Sequence, residues 1–301
     1  DIKVGDEGIG IYTEYSDIKF DGNYGIAIGN KGVAIQTKGI NKIEQTNKTD
    51  TLNIEYKSSS TAKDTSAMAI GYTGTTKTDV FTNKLNLNLV NTDKAVTFTG
   101  IYANGLGKLV NQGDITSASN GSYGIISNDV EVENKGTIKV GATTSNDSNA
   151  VGIYVKNAKL TTDGDKIVLQ GNGNNTKSPL GIYAKADSSI GTTVKDITIN
   201  QGTNPLSISS KKAVGIYIED GSTGNNKLKL VNNSNITLSN SASKTTERKI
   251  GLILRNSKNS ANVTNGKITV AKNNLGIFNN NSTLTHTGIL EVKHNGAGTE
   301  N

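Results

Sequence analysis

An all-β solenoid, a single-stranded parallel β-helix wound from short strands, is the fold this 301-residue sequence predicts. Three observations predict it. A short glycine-led unit recurs along the chain: "GIY" at Gly100, Gly152, Gly181 and Gly215, with the variants "GII" at Gly124, "GLI" at Gly251 and "GIF" at Gly276. Between the copies, apolar and polar residues alternate with a period of two, as in Val130-Glu131-Val132, Ala158-Lys159-Leu160 and Leu228-Lys229-Leu230, which is the pattern of short half-buried strands. The composition, 33% hydrophobic and 5% aromatic with no Trp, is too lean for a large spherical core and suits a thin, elongated one. Disorder is the other reading of a polar chain, but Ile, Val and Thr occur in every stretch, and disordered segments are poor in β-branched residues.

The glycines of successive copies lie 24, 28, 29, 34, 36 and 25 residues apart (124−100, 152−124, 181−152, 215−181, 251−215 and 276−251). An elastic period within roughly 20 to 50 residues marks stacked units whose length differences go into outward loops. The chain is therefore expected to form about ten irregular rungs of roughly 24 to 37 residues, right-handed by the general preference of parallel crossovers. A second signature follows in each unit, as in "LVNQGDIT" and "VENKGTIKV". Together with the alternating fragments it gives three strands per rung, turned at corners where Gly and Asn tolerate positive φ.

Residues 100–301 carry the regular rungs, and residues 1–99 carry irregular ones of the same continuous solenoid. There "DIKVGDEGIGIY" and "DIKFDGNYGIAI" echo each other at a separation of 18−2 = 16, and "MAIGY" at Met68 matches the repeat with Ala69 in place of glycine. Outward excursions are expected at 44–50, 58–65, 143–149, 171–178, 202–212 and 239–249.

Strict alternation places Val151, Ile153 and Val155 inside and Gly152 and Tyr154 outside. Tyr12, Tyr102, Tyr154, Tyr183 and Tyr217 then form one outward file. Such a file shields a sheet face, and it is also the best candidate for ligand contact, through Tyr102, Tyr154, Tyr183 and Tyr217. Asn104, Asn128, Asn157 and Asn256 close their units and are expected to stack as an amide ladder.

No catalytic constellation emerges. Of the motifs that would make the chain resemble polygalacturonases, only Asn91-Thr92-Asp93 is present; a paired Asp-Asp, a Gly-His-Gly and an Arg-Ile-Lys are missing. Glu131 and Glu133 share a strand face without an arginine partner. Asp163-Gly164-Asp165 reads as a solvated turn, because two carboxylates supply too few of the six to eight oxygens calcium takes. His286 and His294 are the two histidines and there is no cysteine, which leaves no structural zinc set; both histidines read as incidental surface residues. The expectation is a non-enzyme without metal or cofactor. The net charge of +6 comes from scattered lysines without interleaved aromatic platforms, which argues against nucleic acid. No apolar run approaches the roughly 18 residues of a membrane helix. The chain starts without Met and stops in mid-pattern, as a piece of a longer protein does.

The "GIY" units, the "N-x-G-x-I-x-V" strands, the Asn, Lys and Thr richness and the missing cysteine resemble the passenger regions of large type V autotransporter adhesins, particularly fusobacterial ones. The similarity covers essentially the whole chain and is clearest over 100–293. It implies a monomeric β-helix exported through a C-terminal outer-membrane β-barrel, displayed on the bacterial surface, and attached to a protein or glycan receptor on host cells or other bacteria. Within that frame the segment is either a binding module or a stalk that projects a distal tip. Excursions gathered at one corner favour binding; excursions scattered over all corners favour the stalk. A polysaccharide-processing enzyme or phage tail spike is the third class the fold admits.

Overall fold

A computed structural model describes residues 2–57, 66–90, 96–143, 147–174, 176–190, 193–222, 227–239, 248–256, 261–263, 266–271 and 273–293. Among them each strand pairs in parallel with the strand three places further along the chain, Ile167–Leu169 and the last three strands excepted, so three strands make one coil and each coil stacks on the last. The first sheet starts with Ile2–Val4, Tyr24–Ile28 and Thr51–Tyr56 and ends at Ile167–Leu169. The second runs unbroken through ten strands, from Ile9–Glu14 to Leu275–Asn280. The third also has ten, from Ile18–Phe20 to Leu284–His286. A fourth, Leu206–Ile208, Ile236–Leu238, Ile268–Ala271 and Leu290–Lys293, takes up the position of the first in the later coils. This is the parallel β-helix the repeat predicts.

The glycine repeat is the register of the second sheet. Ile101, Ile125, Ile153, Ile182 and Ile216 lie opposite one another in consecutive coils, and Ala69 falls in the same place, between Met68 opposite Thr99 and Ile70 opposite Ile101. The alternation expected around Gly152 does not hold. A Cβ at Gly152 would sit 2.7 Å from Ile167 Cγ2 inside the coil and 2.5 Å from the carbonyl oxygen of Gly181 in the next one. The position thus faces inward, beside the equally buried Ile153, and glycine is needed because the chain turns into the sheet there with the neighbouring backbone too close for a side chain.

The interior is a narrow column of Ile, Val and Leu with an aromatic knot at Tyr72, Phe81 and Phe98, all buried. The Tyr72 and Phe81 rings stack at 5.1 Å. A polar ladder runs inside the same column. Asn83 Nδ2 donates to Asn111 Oδ1 (2.7 Å), Asn111 Nδ2 to Asn134 Oδ1 (2.8 Å) and Asn134 Nδ2 to Thr162 Oγ1 (3.1 Å). Each of these amides also donates to a carbonyl two residues on, at Leu85, Gly113 and Gly136, and so satisfies a corner that no sheet bond reaches. The expected ladder of Asn104, Asn128, Asn157 and Asn256 is split instead. Asn104 and Asn128 pair as outward ends of strands, whereas Asn157 and Asn256 are the left-handed corner residues that follow, with φ of 55° and 53°.

Corner side chains of one coil accept backbone N–H groups of the next. Asn23 takes Thr51 N, Asn86 takes Asp114 N, Asp114 takes Thr137 N, Gln201 takes Asn235 N and Asn235 takes Lys267 N, all within 2.7–3.1 Å. This accounts for the abundance of Asn and Asp at turns, where the backbone leaves the ladder and its donors need a partner.

Further expectations from the sequence are corrected. The echo at a spacing of 16 is not a repeat: Ile2 pairs with Ile26 in the first sheet and Ile18 with Ile43 in the third, so it joins two sides of one coil. The 202–212 stretch is not a loop. It contains Leu206–Ile208, which pairs with Ile236–Leu238 and buries Leu206 and Ile208. The 44–50 excursion begins only after the strand Asn41–Gln45.

Candidate functional site

The second sheet places the tyrosine file on its outer face. Tyr102, Ile126, Tyr154, Tyr183, Tyr217, Ile253 and Phe278 occupy one register position in seven successive coils. In the first three coils that position holds Tyr12, Gln36 and Gly71. All four candidate tyrosines therefore share a column, with Ile126 separating Tyr102 from the rest. The repeat showed the tyrosines; Ile126, Ile253 and Phe278 complete the apolar stripe through the "GII", "GLI" and "GIF" variants.

The rings use much of their surface on each other. Tyr183 stacks on Tyr217 at 4.9 Å with 9° between planes and meets Tyr154 edge-on at 5.2 Å. A ligand approaching Tyr183 thus meets ring edges and hydroxyls rather than an open face. The hydroxyls are largely engaged: Tyr183 donates to Glu219 Oε2 (2.5 Å) and Tyr102 accepts Asn128 Nδ2 (3.0 Å). Burial, and then the Glu219 carboxylate it bonds, push the Tyr183 phenol far above its ordinary range. Burial also raises Tyr154, Tyr217 and Tyr123. Two residues further along each strand, Asn128, Lys156, Lys185, Glu219 and Arg255 form a parallel polar column, charged from Lys156 on, in which Lys156 pairs with Asp187 at 2.6 Å.

The longest connections between described strands gather at one corner: 57–65, 141–150, 170–179 and 239–249 leave between the first or fourth sheet and the second, whereas the shorter 187–194 and 221–227 leave between the second and the third and the 44–50 excursion between the third and the first. Of the expected excursions, 58–65 and most of 239–249 lie outside the described residues; Lys249, which is buried, donates from Nζ to the Ser239 carbonyl and ties the ends of the latter together. The described loops build on each other. Ser148 N donates to the Asn172 carbonyl and Gly173 N to the Lys211 carbonyl. Asp147 holds Asn174 Nδ2 at 2.5 Å and Lys177 Nζ at 3.0 Å. The result is a polar ledge along one edge of the tyrosine-bearing sheet.

The other candidates are placed as follows. Glu133 bridges Lys108 and Lys135, and Glu131 pairs with Lys159, as an outward ion-pair lattice of the third sheet. Asp163 ends a strand and Asp165 lies in a 3-10 turn, where its Oδ2 accepts Thr203 N (3.0 Å) and Asn204 N (3.4 Å) of a later coil. Asp165 is thus a fastening between coils rather than a solvated turn. His286 is half-buried, with both ring nitrogens shielded from solvent. His294 and Asn91-Thr92-Asp93 lie outside the described residues. Among the described residues no three His, Cys, Asp or Glu side chains converge as metal ligands, and no helix is long and apolar enough to cross a membrane.

No protein-family profile, curated protein or solved structure matches the chain.

Proposed function

We propose that the chain is an adhesive segment of an exported, surface-displayed rod of the autotransporter-passenger kind, and that it attaches to a protein or glycan receptor on host cells or other bacteria. The observation that carries this reading is the gathering of the longest excursions at one corner, beside the tyrosine-bearing sheet. A stalk has no need to place its loops on one side, whereas recognition concentrates in loops held by a rigid scaffold. The repeat style of the sequence supports the passenger assignment, and the axial stacking of coils supports extension from a surface.

The test is attachment of the labelled chain to epithelial and bacterial cells. It is run on the wild type and on a variant in which 141–150 and 170–179 are each shortened to a Gly/Ser turn. Saturable attachment that the shortened variant loses, with its strand content retained by circular dichroism, supports the proposal. Absence of saturable attachment by the folded wild type makes the segment a stalk.

A further inference from the structure

The outer face of the first sheet carries a groove that the tyrosine file and the ledge do not touch. One part is a polar basin of about 390 Å³, lined by Asn53, Asn88, Asp114 and Thr116 among others. A smaller hollow of about 140 Å³ adjoins it through Asn53, and its lining includes Gly25, Ala27 and Val90. Gly25, Asn53, Asn88 and Thr116 are register partners in consecutive coils, so the groove runs along the solenoid axis with one set of groups about every 4.8 Å.

The chemistry of this column is amide and hydroxyl. Asn88 Nδ2 donates to Asn53 Oδ1 at 2.8 Å, which orients both side chains and leaves Asn53 Nδ2 as a donor and Asn88 Oδ1 as an acceptor toward the basin. Thr116 adds a hydroxyl, and Asp114 a second carboxylate oxygen beyond the Oδ1 that accepts Thr137 N. Groups that donate and accept in alternation suit a ligand made of hydroxyls. At the other end Gly25 and Ala27 leave a low floor against which an apolar ligand face can lie. The charge is close to balanced and gives an anion no dedicated site: Asp114 stands at the polar end, and at the other the lining carries Lys3 and Lys57 beside Glu55, with Lys57 paired to that glutamate at 2.8 Å. An extended peptide is disfavoured because the sheet's own backbone groups are spent on the neighbouring coils and offer no edge to pair.

We propose that this groove binds an extended neutral oligosaccharide laid along the axis, with its hydroxyls on Asn53, Asn88 and Thr116 and an apolar face over Gly25 and Ala27. The site is independent of the corner ledge, so each can exist without the other.

The experiment titrates the intact chain with cellotetraose, chitotetraose and a galactotetraose, followed by calorimetry and by ligand-observed NMR. A sulfated tetrasaccharide and a pool of random peptides serve as comparisons. Binding of at least one neutral tetrasaccharide is expected, weakened about tenfold by Asn88→Ala through loss of its hydrogen bonds, weakened likewise by Ala27→Leu, which fills the floor, and unchanged by Tyr183→Ala. These substitutions lie on outer faces, and circular dichroism verifies the fold. Failure of all three neutral sugars to bind, equal binding by the groove variants, or preference for the sulfated sugar or the peptides overturns the proposal. Cell attachment of the ledge-shortened variant is read separately, so the loss of one conclusion does not imply the loss of the other.

Discussion

Replacing Asn111 by alanine tests whether the internal amide ladder holds neighbouring coils together. Asn111 is fully buried. It accepts from Asn83 and donates both to Asn134 Oδ1 and to the Gly113 carbonyl. In the variant, Asn83 Nδ2 keeps the Leu85 carbonyl, while Asn134 Oδ1 and the Gly113 oxygen lose their side-chain donor. Two stranded buried acceptors cost about 1–3 kcal/mol each, so the loss is about 2–6 kcal/mol, far above the effect of an ordinary surface change. Asn128→Ala, which removes the single bond to Tyr102 on the outer face, is the matched control. Denaturant unfolding followed by circular dichroism gives the total effect, and hydrogen exchange at Lys135 and Gly136, whose amides bond the Asn111 carbonyl, gives the local one. A loss below about 1 kcal/mol, or one no larger than that of Asn128→Ala, refutes the reasoning, since the ladder would then be replaceable by any small side chain.

Asp79 is held well below the usual carboxylate range by hydrogen bonds from the Thr76 and Thr75 hydroxyls and amides. Its bonds therefore contribute fully above the unfolded value of about 3.9 and are lost as pH falls toward the folded one. Acid titration of the unfolding midpoint is expected to show a slope that Asp79→Asn flattens. The Tyr183 phenol is raised, so its contribution is complete below about pH 10 and is lost as pH rises; phenolate absorbance is expected to grow late, together with unfolding, and less so in Tyr183→Phe. Gly152→Ala places a methyl 2.5 Å from the Gly181 oxygen and is expected to cost about 1–3 kcal/mol by overpacking, measured as a shift in the denaturation midpoint. Leu206→Ala is expected to cost about 2–5 kcal/mol, and deletion of 202–212 to disrupt folding, because that stretch supplies a strand; an unchanged circular dichroism spectrum after the deletion would falsify its place in the fourth sheet.

The repeat was readable because glycine at one register position answers a steric demand that recurs in every coil, so Gly100 through Gly276 announced the second sheet with its spacing intact. The outward tyrosines followed from the same register. What alternation missed was the inward turn at Gly152, since a residue without a side chain hides which way it faces. Leu206–Ile208 was lost in a polar stretch whose three-residue strand is too short to show a period. The amide ladder escaped because Asn111 and Asn134 look like turn residues in "NQG" and "NKG", and only the pairing of coils reveals that their side chains point inward. The groove on the first sheet has no sequence signal of its own: Asn53, Asn88 and Thr116 belong to coils of different length and meet only through the register.

In all four sheets the hydrogen bonds run along the rod and the strands run across it. A pull applied between the two ends therefore loads successive coil interfaces in series, and the one that yields is the weakest, whichever end is tugged. The corner acceptors and the amide ladder are bolts across those joints, set coil by coil. When a joint opens, the coil it releases pays out its 22 to 40 residues, roughly 70 to 130 Å of extended chain. A rod built this way lengthens in steps under load and dissipates a sudden jerk joint by joint.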